Sequence, residues 1–243
     1  MKRGIQDIFS EVSKTYELVN HVLTFGLDIF WRRKASEKAA QAGGTLWLDV
    51  CSGTGEFASN LRSLAKGKAK VVVVDFCPSM LQQARQKRGS SKFLVTMADA
   101  LHLPFPDETF DLVTISFATR NISLSRQALT QNFREFYRVL KAGGQFVNLE
   151  TSQPGQKFIR NLFHGYVRAV IKPVGHLLSG SKAGYTYLSS TIPKFYGPEE
   201  FAGIVAEAGF DQITSKPLFL GIAAIHMAIK KSKTQPGSPT LAI

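Results

Sequence analysis

Three aspartates and a glycine turn are the first residues in this chain able to do chemistry. In "LDVCSGTGEFA", Gly53, Gly55 and Ala58 have the spacing of a G-x-G-x-x-G/A loop, and Asp75 follows about twenty residues later. Glycines there let backbone approach a ligand closely, and a carboxylate at that distance can accept hydrogen bonds from both hydroxyls of a ribose. NAD and S-adenosylmethionine both satisfy this pattern. Asp49, just ahead of the turn, separates them. A carboxylate in that place repels a pyrophosphate and attracts an ammonium and a sulfonium. In "MADALHLPF", Asp99 can accept from an adenine amino group while the Ala100 N–H pairs with a ring nitrogen. Farther on, "TISFATRNIS" leaves an apolar run and at once supplies a guanidinium and a carboxamide, Arg120 and Asn121. Such a pair is either part of a solvated loop or a functional couple at the mouth of a site.

The surrounding pattern says what must hold these residues. "TLWLDV", "AKVVVVDF", "KFLVTMAD", "FDLVTISF" and "QFVNLE" read as strands, and "AKVVVVDF" is apolar on both faces, as in a buried parallel sheet. Helical stretches separate them: "EFASNLRSLAKG", "PSMLQQARQKR" with Pro78 at its start, and "SRQALTQNFREFYRVLKAGG" with Gly143-Gly144 at its end. This alternation predicts an α/β fold with a Rossmann-like, doubly wound sheet, whose ligands bind beyond the carboxyl ends of the strands. Ile8, Val12, Tyr16, Val19 and Leu23 have helical spacing, and a second helix runs through "IFWRRKASEKAAQA". Residues 1–43 are therefore expected to form a helical cap, 151–197 a lid inserted after the fifth strand, and 1–231 one domain. The end of the chain, 232–243, carries turn formers without periodicity and is expected to be disordered.

The bulk numbers set limits. The formal net charge is +12, which suits nucleic acid, an anionic membrane surface or an acidic partner, or reflects a generally basic proteome. Two cysteines, Cys51 and Cys77, are too few for a disulfide framework and fit a reducing cytosol. "MKRGIQDIFSEVSKTY" lacks the apolar core of a signal peptide, and no stretch reaches the length of a membrane span. A cytoplasmic protein follows, able to lie on the inner face of the cell membrane. "QKFIRNLFHGYVRAVIKPVGHLL" sets Lys157, Arg160, His164, Arg168 and Lys172 beside a wide apolar face, with Pro173 expected to end or kink the helix. That pattern serves an anionic bilayer or a lid packed on the core, and both readings stay open. So do a monomer and a homodimer.

With those residues in view, the chain resembles the class I S-adenosylmethionine-dependent methyltransferases. More narrowly, it resembles the C-methyltransferases of ubiquinone and menaquinone biosynthesis. The likeness rests on "FSEVSKTYELVNHVLTFGLDIFWRRKA", "LDVCSGTGE", "ADALHLPFPDETFDLVTISFATRN", "FREFYRVLKAGGQFV", "YTYLSSTIPKF", "FAGIVAEAGF" and "KPLFLGIAAIHMAIKK", from about Phe9 to Lys231. The resemblance implies cofactor-binding roles for Thr54, Asp75, Asp99, Ala100 and Ser116, and places Arg120 and Asn121 in the active site. It implies methyl transfer from S-adenosylmethionine to a ring carbon of a polyprenylated quinol, a demethylmenaquinol or the related benzoquinol. Two departures stand out. Cys51 replaces a glycine of the general pattern and reads as harmless, whereas Ala118-Thr119 before Arg120 replace a glycine and an aliphatic residue on the expected substrate side.

Carbon methylation needs an electron-rich ring, so the site must take a hydroxyl proton and stabilise a phenolate. Arg120 suits the second task and not the first, since a guanidinium stays protonated. A water held by Asn121 and a carboxylate can take the proton; His21 and His164 are further candidates. Other functions remain to be weighed. They are methylation of RNA or another small molecule, a non-enzymatic quinone- or lipid-binding module, and an NAD-dependent oxidoreductase. The chain lacks an Asn-Pro-Pro-Tyr type motif and a basic-aromatic module, so nucleic acid is not expected as a partner.

Overall fold

The computed structural model describes residues 2–87 and 93–232. The expected disordered tail lies outside them, apart from Ser232. The sheet is built from β1 (Leu46–Val50), β2 (Lys70–Asp75), β3 (Phe93–Met97), β4 (Phe110–Ser116), β5 (Leu140–Thr151), β6 (Asp211–Leu218) and β7 (Ala223–Ile229). Their order is β3-β2-β1-β4-β5-β7-β6. The first five run parallel, and β7 is antiparallel to both β5 and β6. The chain winds outward from β1 to β3 and then crosses to β4 on the other side, so the switch point lies between β1 and β4. Edge strand β6 is largely exposed and carries Pro217, which cannot extend the sheet by pairing with another chain.

Helices α1 (Lys2–Val12), α2 (Tyr16–Leu23) and α3 (Leu27–Ala39) precede the sheet. The periodicity from Ile8 to Leu23 predicts one helix, but the chain breaks at Ser13–Thr15. There the Ser13 and Thr15 hydroxyls donate to the carbonyls of Ser10 and Val12, at 3.0 and 3.3 Å, capping the last turn of α1. Between strands lie α4 (Glu56–Ala65), α5 (Pro78–Gln86), the single-turn α6 (Thr119–Ile122) and α7 (Arg126–Val139). Helix α7 stops at Val139, before the glycine pair expected to end it. Leu140 already pairs with Phe110, and Gly143-Gly144 sit in an irregular start of β5.

After β5 come α8 (Lys157–Tyr166), a π turn (Val167–Ile171), α9 (Lys172–Ser179) and α10 (Lys182–Thr191); α11 (Pro198–Glu207) precedes β6. Pro173 does not end the helical run. It lacks an N–H and crowds the carbonyl four residues back, and the backbone meets this by widening into the π turn just before it. Gly175 lets α9 lie against α10, since a Cβ there would sit 2.1 Å from the Tyr185 ring.

Two apolar clusters cover the faces of the sheet, one holding Phe133, Phe136, Phe146 and Phe201, the other Trp31, Phe57, Leu61 and Val147. A third lies off the sheet. It joins Val12, Val19 and Leu23 of the N-terminal helices to Phe163, Val167, Ile171 and Tyr185 of the inserted ones. The two helical segments thus share a core, set over the carboxyl ends of the strands.

Candidate active site

The turn after β1 is built from backbone conformations that few residues tolerate. Cys51, Gly53 and Gly55 have φ of +52°, +56° and +79°. A Cβ on Gly53 would meet no atom within 4 Å, so that backbone faces open space. Cys51 is not glycine, and its left-handed conformation costs about 1–2 kcal/mol. The substitution read as harmless therefore carries a cost in strain.

Asp75 holds this turn. Its buried carboxylate accepts from Gly53 N at 2.8 Å and from Cys77 N at 2.9 Å, and so ties the loop after β1 to the loop after β2. Asp49 is opposite Thr114 across the switch point and accepts from the Thr114 hydroxyl at 2.7 Å and the Ser52 hydroxyl at 2.8 Å. Asp99 accepts from Leu101 N at 3.1 Å. The three carboxylates converge on Cys51, whose thiol is pushed well up by burial and by the charges of Asp75, Asp49 and Asp99.

A cavity of about 250 Å³ opens among them. Asp49, Gly53, Thr54, Asp75, Asp99, Ala100, Ser116 and Asn121 all line it, whereas Gly55 and Arg120 do not. Its wall suits S-adenosylmethionine. The carboxylates Asp49, Glu56, Asp75 and Asp99 face a ligand with sulfonium and ammonium charges, and the buried carbonyl oxygens of Asn121 and Asn132 have no partner there.

Burial pushes the Asp49 carboxyl up to about 6, against the Thr114 and Ser52 hydrogen bonds and the Arg32 charge, which pull it down. Burial raises Asp75 as well. Since the folded-state value of Asp49 lies above its unfolded value, ionisation of this buried group lowers apoprotein stability as pH rises from about 4 to 6. A cation in the cavity favours the ionised form. Affinity for S-adenosylmethionine should therefore rise by up to tenfold per pH unit below about 6 and level off above it. Calorimetric titration across pH 5–8 checks this, with Asp49→Asn expected to flatten the profile.

A second cavity of about 550 Å³ lies against the first. Its wall is mainly aliphatic and aromatic, drawn from α1, α2, α3, α8, α10 and the Phe219–Gly221 turn. The two cavities share Phe9, Tyr16, Arg32 and Asn121.

Arg120 lines this second cavity alone. It does not stand free at a sheet edge. Its side chain is buried, with Nη1 3.0 Å from Glu150 and 2.9 Å from the Thr151 hydroxyl, and its backbone N–H also donates to Glu150 at 3.2 Å. Its Nε has no hydrogen-bond partner. Phe117, expected to close strand β4, lies beyond it at φ +52° and turns onto the wall of the second cavity. Thr119 was expected on the substrate side. It is fully buried instead, bonded to Asn148 of β5, and lines neither cavity.

Neither histidine reaches a cavity wall. His21 contacts Asp28 at 3.0 Å and lies 3.4 Å from Glu56. His164 pairs with Gln153 at 2.7 Å, and burial together with Arg168 and Arg160 lowers its pKa. The phenols of Tyr16, Tyr185 and Tyr187, raised by burial, remain protonated donors. Sequence reasoning missed three buried charged groups: Glu150 beneath Arg120; Arg32, on both walls; and Asp28, the one carboxylate among the described residues lining the apolar cavity. The only signal for the α3 pair was their spacing one helical turn apart, which an exposed ion pair shares.

Over 222 residues the chain is 40% identical to a demethylmenaquinone methyltransferase of Thermus thermophilus, covering 90% of this chain and 98% of that protein. It is 36% identical to one from Deinococcus radiodurans, covering 94% and 93%. Among solved structures, a methyltransferase from Thermotoga maritima superposes with a TM-score of 0.62 at 17% identity, covering 93% of this chain and 100% of that one. Human N-acetylserotonin methyltransferase in complex with S-adenosylmethionine gives 0.58 at 18%, covering 90% and 58%. Those two show the fold alone. The ubiE/COQ5 methyltransferase family model matches residues 1–230, and the chain belongs to that family of S-adenosylmethionine-dependent methyltransferases.

Proposed function

We propose that this enzyme methylates a ring carbon of demethylmenaquinol to give menaquinol. One observation carries the reading: a carboxylate-lined cavity and a larger apolar one meet at Phe9, Tyr16, Arg32 and Asn121. S-adenosylmethionine supplies an electrophilic methyl group. The chain supplies position, charge and exclusion of water. Asp49, Asp75 and Asp99 take the cationic and ribose-adenine parts of the donor. The apolar chamber holds the naphthoquinol ring and the start of its prenyl chain, and Asn121 faces both ligands. Arg120 steadies the quinolate as its hydroxyl proton leaves. Asp28, the one carboxylate among the described residues lining that chamber, is the proposed acceptor of that proton, directly or through one water. The ring C–H becomes C–CH₃, and one proton and S-adenosylhomocysteine are released.

Turnover with labelled S-adenosylmethionine tests this. Demethylmenaquinol should be methylated faster than the demethylated benzoquinol analogue, and Arg120→Ala should lose about a hundredfold or more in rate. Normal turnover by that variant sinks the role given to Arg120.

No helix among the described residues is long and apolar enough to cross a membrane. A lipid-soluble substrate must nevertheless reach the chamber. Exposed Phe25, Phe158, Leu162, Phe219 and Leu220 ring its mouth, and Lys157, Arg168 and Lys172 are exposed nearby on the inserted helices. This face is proposed to rest on the inner leaflet of the cell membrane. Co-sedimentation should show binding to phosphatidylglycerol vesicles, weakened by salt and by Phe158→Ser. Equal binding to phosphatidylcholine vesicles at high salt would count against it.

A further inference from the structure

The first cavity holds four carboxylates, Asp49, Glu56, Asp75 and Asp99, and Arg32 is the one cation among its described lining residues. S-adenosylmethionine brings two positive groups and also an α-carboxylate. Asp49, Asp75 and Asp99 suit the cationic and neutral parts of the donor and repel that carboxylate. We propose that Arg32 anchors it.

The surroundings of Arg32 fit the task. It comes from α3 and is only 5% exposed. Its Nη1 donates to the Ser116 hydroxyl at 3.0 Å, and its guanidinium carbon lies 4.9 Å from the Phe117 ring centre. Glu56 and Asp28 flank it at 3.2 and 3.6 Å and fix the plane of the fork. A guanidinium has five N–H donors in fixed directions. Its Nε faces Glu56 and one N–H of Nη1 is given to Ser116, whereas Nη2 lies 3.6 Å from Asp28, beyond hydrogen-bond distance, so N–H groups of Nη1 and Nη2 remain for an incoming carboxylate. The bidentate match of guanidinium and carboxylate explains why arginine serves here. The same residue lines the apolar chamber, so the donor's amino-acid end is held at the boundary where the methyl group must be presented.

The test is calorimetric and needs no turnover. Decarboxylated S-adenosylmethionine keeps the adenosine, sulfonium and amine and lacks only the carboxylate. Its greater positive charge should favour it in a cavity of carboxylates, so a preference for the intact cofactor reports a carboxylate contact directly. Wild-type protein should bind S-adenosylmethionine about 10- to 100-fold more tightly than the decarboxylated form, as expected for a charge-assisted pair. Arg32→Gln should erase that preference while binding the decarboxylated form within about threefold of wild type. Retained binding of that form also shows the adenosine site to be intact. Arg32→Lys, which keeps the charge without the fork, should keep part of the preference. Equal binding of the two ligands by wild type overturns the assignment, as does full discrimination by Arg32→Gln or an equal loss for both ligands. Binding of neither ligand by wild type would instead overturn the cofactor site as a whole.

Discussion

Glu150→Ala is expected to destabilise the protein by about 3–5 kcal/mol, the cost of leaving a buried guanidinium without its counter-charge, and to abolish methyl transfer. Glu150 has no solvent exposure and accepts four hydrogen bonds: from Arg120 Nη1 and backbone N, and from Thr151 N and Oγ1. Removing it strands the Arg120 charge and two backbone donors together. A double replacement separates stability from chemistry. Arg120→Met with Glu150→Leu removes both charges, so it should recover most of the lost stability, because a buried ion pair is often matched by apolar residues of similar volume. It should recover no activity. Urea denaturation and turnover of labelled cofactor give the two readings. A Glu150→Ala protein within about 1 kcal/mol of wild type would show that water reaches the pair.

The second large effect is expected at Asp75. Its two oxygens already accept the N–H groups of Gly53 and Cys77, so Asp75→Asn turns one oxygen into an NH₂ facing a donor. One of those amides then loses its partner, at about 1–3 kcal/mol of stability. Cofactor binding should suffer more. The loop that shapes the cavity loosens and the charged acceptor for the ribose is gone, two losses of about 1.5–3 kcal/mol each, or at least a hundredfold in Kd. Calorimetric titration of S-adenosylmethionine measures it. Wild-type affinity in Asp75→Asn would mean that the carboxylate serves the loop and not the ligand.

The two aspartate-bearing turns were legible in the sequence because their information is local. Strand, glycine turn and helix follow one another within "LDVCSGTGEFA", and Asp75 stands at the end of the next strand, where the doubly wound plan puts it beside that turn. Arg120 was legible as a residue but not as an environment. Its partner Glu150 comes from the neighbouring strand, and nothing in "RN" or "LET" announces that a salt bridge will be sealed there. Arg32 and Asp28 were hidden for the same reason. In "LDIFWRRKA" one arginine is buried and the next is exposed, and the choice rests on how α3 is rotated against α4 and β5, a tertiary matter. The break between α1 and α2 was missed because apolar spacing continued across it while serine and threonine hydroxyls ended the first helix from within.

Helix α1 contributes Ile5 and Phe9 to the carboxylate cavity, and Ile8, Phe9 and Val12 to the apolar one. It is tied down on both sides: the Gln6 side-chain amide donates to the Phe76 carbonyl beyond β2, and the Ser181 hydroxyl donates to Glu11 from the inserted helices. One short roof therefore spans two compartments. Loosening those tethers should shorten the residence times of cofactor and quinol together, because one helix walls both ligands.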